Sequence, residues 1–203
     1  MRTEANMKSS KPATGKQAIG SKQSSPKNSN SVKHDAIVLL KQDHAEVKKM
    51  FKQFDKLAEK EDIEGKTQIA NKICAELIAH TIAEEEIFYP ATREAIDDDD
   101  MLNEAKVEHD SAKELITQIL SMSPEDPMYD AKVTVLGEYI THHVEEEETE
   151  MFPMVRESKK VDLKEMGAMI TSRKAEIMEE FCDMEGEIDP QQLQVKIGMS
   201  AKH

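Results

Sequence analysis

Tryptophan is absent from these 203 residues, and three Tyr and five Phe are the only other large aromatic side chains. A core must therefore be built from aliphatic residues and from the 13 methionines. Two cysteines, Cys74 and Cys182, are too few for a disulfide framework and suit a reducing compartment. No apolar run approaches the roughly 20 residues that a membrane helix needs. The N-terminus lacks the apolar stretch of a secretory signal. A cytoplasmic protein without a membrane span is expected. Basic residues are scarce outside the N-terminus. Residues 1–33 hold seven Lys/Arg against one Glu, a balance of +6, so the other 170 carry −20 of the net −14. An acidic body of that kind argues against nucleic-acid binding by the folded part.

Residues 1–33, rich in Ser, Lys, Gly, Pro and Asn without periodicity, are expected to be a disordered basic tail. Their charge suits solubility better than recognition. From about Asp35 the pattern becomes helical, and no stretch resembles a series of strands, so the class expected is all-α.

The first helix shows Ile37, Leu40, His44, Val47, Phe51 and Phe54 on one seam. The second shows Ile69, Ile73, Leu77, His80, Glu84 and Phe88, with Gly65 near its start and Pro90 expected just past its end. Asp97 to Asp100 form an acidic turn that caps a third helix, whose seam is Leu102, Ala105, His109, Ala112, Ile116 and Ile119. Ser123-Pro124-Glu125-Asp126-Pro127 breaks the chain. The fourth helix shows Val133, Leu136, Ile140, His143, Glu147 and Met154, and Pro153 is expected to bound it. A fifth is expected from Asp162, where Asp162 and Glu165 have capping-box spacing, with Leu163, Met166, Ile170, Ile177, Phe181 and Met184 in line.

What interrupts these seams carries the chemistry. His80 precedes Glu84 by four residues, and His143 precedes Glu147 by four. Residues at i and i+4 share one helix face. His44 lies 36 residues before His80, and His109 lies 34 before His143. The chain thus reads twice as a helix with one His, a connector, and a helix with His-x-x-x-Glu. Two such hairpins related by a pseudo-twofold axis would bring four His and two Glu together. A lone seam His is usually a core residue satisfied by one hydrogen bond. A seam Glu is harder to explain, because a buried unpartnered carboxylate costs several kcal/mol. A metal centre removes that cost and uses the imidazoles, so His44, His80, Glu84, His109, His143 and Glu147 are the candidate ligands. Asp43, Glu85, Glu86, Glu108, Glu145, Glu146, Glu148 and Glu150 read as a solvated face or as groups behind the ligands. His142 would replace His143 if the helix phase slipped by one residue. Tyr139, one turn before His143, either packs or reaches the metal edge.

The phrases Lys41-Gln-Asp-His44, His80-Thr-Ile-Ala-Glu84-Glu with Phe88-Tyr-Pro90, Glu108-His109, and His143-Val-Glu-Glu-Glu147-Glu with Met151-Phe-Pro153 resemble the hemerythrin-like HHE cation-binding domain. The resemblance covers about residues 34–155. It implies an up-down-up-down four-helix bundle around two non-haem iron ions bridged by an oxo or hydroxo oxygen. Glu84 and Glu147 would be the bridging carboxylates, and the four His terminal ligands. Residues 156–203 would then be a C-terminal helix and tail.

One departure matters. Oxygen-carrying hemerythrins have a second His one turn along the third helix, whereas here Ala105 and Lys113 flank His109. Two six-coordinate irons need about 12 bonds, and this ligand set leaves about two positions open. The expected function is a metal-binding protein that binds or senses oxygen, nitric oxide or iron. The alternatives are a di-iron redox enzyme decomposing hydrogen peroxide and, more weakly, a structural metal staple.

Overall fold

The structure, a computed structural model, describes residues 35–182 and 188–200. The expected basic tail, His34, Met184 and His203 lie outside the described residues.

Four of the long helices begin where a carboxylate can satisfy free backbone N–H groups. Asp35 accepts from Val38 N–H at the start of α1 (Ala36–Ala58), and Asp62 from Gly65 N–H at the start of α2 (Ile63–Ala83). Asp98 accepts from Met101 N–H ahead of α4 (Asp99–Leu120). Asp162 takes Lys164 and Glu165 N–H ahead of α7 (Leu163–Phe181). Between them lie α3 (Tyr89–Ala95), α5 (Tyr129–Glu146) and α6 (Phe152–Ser158), and α8 (Pro190–Ser200) follows.

The chain is all-α, an up-down-up-down bundle of α1, α2, α4 and α5 in which α1 packs on α2 and α5, and α4 on α2 and α5. The fifth helix is α7, lying against α1 and α2. Its Ile177 and Phe181 are fully buried in the bundle's main core cluster. An eighth helix that the sequence pattern did not reveal, α8, adds Leu193 and Ile197 to that cluster. No helix among the described residues is long and apolar enough to cross a membrane.

Two expected ends are not ends. The chain runs through Pro90 and Pro153 as continuous helix, each proline standing in the first turn of α3 or α6. The reason is a π-helical turn before each, Glu84–Phe88 and Glu147–Met151. The wider turn carries the N–H of Tyr89 to the carbonyl of Glu84, and that of Phe152 to Glu147. It adds a residue at the point where proline has no N–H to give. The insertion also advances the seam by one. Phe88 and Tyr89 are both buried, and Val155 takes the inward place expected for Met154, which is 36% exposed.

Candidate metal centre

The apolar interior falls into two clusters. One is built around Ile73, Leu136, Ile140 and Val144, the other around Leu40, Phe88, Phe152 and Val155. The four seam His and two seam Glu sit between them, since each seam passes from one cluster to the other through its polar residue. His44, His80, Glu84, His109, His143 and Glu147 are all buried. His142 is 66% exposed, so the phase that turns His143 inward is the observed one. Tyr139 is half exposed on the outside of α5.

The six residues converge in two overlapping groups. His44, His80, Glu84 and Glu147 make one; Glu84, His109 and His143 make the other, and within each the potential ligand atoms lie within 4.8 Å of one another. His44 Nε2 and His80 Nε2 are 3.2 Å apart, and His109 Nε2 and His143 Nε2 are 3.1 Å apart. Glu84 Oε2 stands 3.1 Å from His80 Nε2 and 3.4 Å from His109 Nε2, and so reaches both groups. A third group, Glu108, His142 and Glu146, gathers at the surface without comparable burial.

Every imidazole turns its other nitrogen outward to a carboxylate. His44 Nδ1 meets Glu148 at 2.9 Å, His80 Nδ1 meets Asp43 at 3.2 Å, His109 Nδ1 meets Glu85 at 3.1 Å, and His143 Nδ1 meets Glu108 at 2.7 Å. Each acid comes from a neighbouring helix or π turn, and the four pairs close a ring: α1 to α2, α2 to α4, α4 to α5, α5 back to α1. A carboxylate at Nδ1 holds the neutral ring's proton there and leaves the Nε2 lone pair facing inward. Two lone pairs opposed at about 3 Å repel, unless a proton or a metal cation lies between them.

The carboxylates make the same demand. Neither oxygen of Glu84 has a hydrogen-bond partner, nor has Glu147 Oε2, although all three are buried. Orphaned buried acceptors are rare in folded proteins. Nitrogen lone pairs and carboxylate oxygens together form a donor set for borderline transition-metal cations. The residues present fit a metal pair.

Protons take up this role in the metal-free protein. Burial would lower the pKa of His80, but Glu84 and Asp43 outweigh it and push it up to about 10. His143, opposed by burial in the same way, is raised to about 9 by Glu147 and Glu108. Full burial would raise Glu84, yet His80 and His109 hold it well below the usual carboxylate range.

One neighbour escaped the sequence reading. Tyr89 stacks on His109, with ring centroids 5.3 Å apart. Its hydroxyl donates to Glu147 Oε1 at 3.0 Å and lies 3.1 Å from His109 Nε2. Burial, then the charges of Glu147 and Glu84, push its pKa well above the ordinary value, so it stays a phenol. The available signal was the Phe-Tyr-Pro phrase, but an α-helical phase places only Phe88 on the seam. Lys113, near the missing histidine, is buried and grips Glu85 through both oxygens at 2.7 and 2.8 Å. Cys74 packs in the apolar core, where burial pushes its thiol up to about 12, far from ligand behaviour.

A cavity of about 20 Å³ adjoins the cluster, lined by Val47, Met50, Leu77, Ile140 and Val144 beside the four imidazoles. It has room for a water-sized molecule.

Comparison with known proteins gives the family and the fold. A DNA nickase from Nostoc sp. is 29% identical over 118 residues, which is 58% of this chain and 32% of that protein. The chain therefore matches about a third of that relative's length. The crystal structure of a hemerythrin HHE cation binding domain-containing protein from Mycobacterium kansasii aligns with a TM-score of 0.58 at 22% identity. That alignment covers 71% of this chain and 87% of the other, and it speaks for the fold. The family model for the hemerythrin HHE cation binding domain matches residues 35–155. The chain belongs to the hemerythrin HHE cation binding domain family, and is a metal-binding protein of hemerythrin-like type.

Proposed function

We propose that the chain holds two non-haem iron ions and binds or senses a small ligand there: oxygen, nitric oxide or iron itself. His44, His80, Glu84 and Glu147 would hold one ion, and Glu84, His109 and His143 the other. Glu84, placed between the two groups, would be held in common by both ions. Glu147 Oε2 lies 3.3 Å from His44 Nε2 and 3.6 Å from His143 Nε2, which supports the same role. The observation that carries the reading is the double opposition of Nε2 atoms at 3.2 and 3.1 Å beside unpartnered carboxylate oxygens. Iron is favoured over zinc because the set is His and carboxylate without Cys and has two centres.

The adjoining cavity, with room for a water-sized molecule beside the four imidazoles, supports a small inorganic ligand. Bound iron would supply electrons and open coordination positions. The protein excludes bulk water through its two apolar clusters and fixes the rings through the outer carboxylates.

A second reading, decomposition of hydrogen peroxide, is favoured by Tyr89. A buried phenol 3.0 Å from Glu147 Oε1 is a proton donor held at the site. The DNA nickase relative does not bring its reaction here, because only a third of that protein is matched.

Metal analysis of protein produced with iron, followed by absorption spectra during addition of oxygen and then hydrogen peroxide, tests these readings. Two irons per chain are expected, with oxygen-dependent spectra for the binding reading. Turnover of peroxide selects the second. One zinc per chain, or no metal with full stability, defeats both. Iron without spectral response to either reagent leaves a structural staple.

A further inference from the structure

Helix α7 begins at Leu163, beyond the 35–155 stretch that matches the family, yet it reaches the metal centre. Lys174 Nζ lies 2.7 Å from Asp43 Oδ2. The same oxygen stands 3.2 Å from His80 Nδ1, and Nε2 of His80 faces His44 and Glu84. The lysine side chain is only 16% exposed, and Glu76 lies 3.8 Å from its ammonium. Beside it Arg173 forks onto Glu86 at 2.6 and 3.1 Å, which fixes the helix against the first π turn.

The other half of the centre has a counterpart. Lys113 of α4 grips Glu85, which faces His109 Nδ1. Both halves therefore contain a lysine–carboxylate–imidazole chain, one supplied from within the family stretch and one from the added helix. Of the remaining two outer acids, Glu148 has Lys41 at 3.7 Å and Glu108 has the His142 ring at 3.7 Å.

We propose that Lys174 is a positioning residue that tunes the metal pair through Asp43 and His80, so that α7 is a working part of the centre. The inference rests on the iron reading given above. A cation on Asp43 draws negative charge away from the oxygen that accepts His80 Nδ1–H. The imidazole is then a poorer electron donor at Nε2, and the more highly charged oxidation state is disfavoured. The direct repulsion between Lys174 and the metal pair has the same sign. By linkage, the charge of the pair in turn biases how firmly α7 is held.

The test is the ferric/ferrous potential of the iron-loaded full chain, with its melting temperature, for wild type and five variants. Lys174→Met is expected to favour the ferric state by about tenfold, a fall of about 59 mV for a one-electron step. Asp43→Asn removes the acceptor's charge and shifts the potential upward. Lys174→Arg keeps the cation and stays near wild type. Lys196→Met on α8, whose partner is Glu180, also stays near wild type. Should Lys174→Met not fold, Lys174→Gln keeps a donor without the charge and carries the same sign test. A merely structural role lowers melting temperature without opposite shifts. Unchanged potentials, or shifts of one sign in Lys174→Met and Asp43→Asn, overturn the proposal. Wild-type protein that takes up no iron pair defeats the underlying reading first, and that is seen before any variant is made.

Discussion

Tyr89 and Phe152 occupy equivalent places in the two halves of the bundle and differ by one hydroxyl group. Each follows its seam Glu by five residues, each donates its backbone N–H to the carbonyl of that Glu across the π turn, and each stacks on a histidine. Tyr89 lies on His109 and Phe152 on His44, with centroids 5.3 and 5.8 Å apart. The hydroxyl makes the pair asymmetric: Tyr89 sets an O–H beside His109 and bonds it to Glu147, whereas Phe152 offers His44 only a ring face.

Tyr89→Phe should therefore separate holding metal from reacting with peroxide. Two metal ions should stay bound, because no candidate ligand is lost. Stability should fall by about 1–3 kcal/mol, the penalty of leaving a buried acceptor on Glu147 short of a partner. If the phenol donates protons, peroxide turnover should drop while oxygen-dependent spectra persist. Stopped-flow absorption beside metal analysis checks this. Unchanged turnover removes Tyr89 from the reaction.

Glu84→Ala and Glu147→Ala should each reduce occupancy of the pair, not of one ion alone, and lower the melting temperature of the loaded protein. Both follow from bridging and from the linkage of metal binding to folding. Glu146→Ala should change little, since its side chain is 40% exposed. Metal content measured for the three side by side is decisive. Loss of both ions in Glu146→Ala alone would contradict the assignment.

Metal-free protein should lose stability as pH rises from about 6.5 to 10. The folded pKa values of His80 and His143, about 10 and about 9, lie above the ordinary 6.5. Their imidazolium contacts with Glu84, Asp43, Glu147 and Glu108 stabilise fully below 6.5. That contribution disappears as pH passes through the folded values. Metal binding displaces the same protons, so the loaded protein should not follow this decline. Melting curves from pH 6 to 10, with and without iron, test it; a flat metal-free curve counts against it.

Ile177→Ala on α7 should cost about 2–5 kcal/mol in global unfolding, as for any fully buried aliphatic residue. Denaturant titration followed by helical circular dichroism should show a single shifted transition. An unshifted main transition preceded by a small early loss would mean that α7 unfolds independently of the bundle.

Much of this protein was legible in its sequence because helix seams are local. A side chain's inward direction follows from its place in a 3.6-residue repeat. The repeat turned His44, His80, Glu84, His109, His143 and Glu147 inward and His142 outward. The caps at Asp35, Asp62, Asp98 and Asp162 are equally local.

What lies beside the seams was decided by tertiary structure. Asp43 adjoins His44 in the chain but holds His80, and Glu108 adjoins His109 but holds His143. Helix rotation and spacing select such partners, and no single-helix periodicity encodes them. The π turns broke the repeat by one residue, which hid Tyr89 and made Pro90 and Pro153 look like ends. Lys174 reaches Asp43 from 131 positions along the chain, and α8 is helical in a segment with no strong seam of its own. The sequence by itself determined which residues face the interior up to the π turns, since that depends on neighbours within a few helical turns. Only the packed bundle decided which acid orients which imidazole, because that depends on contacts between helices distant in the chain.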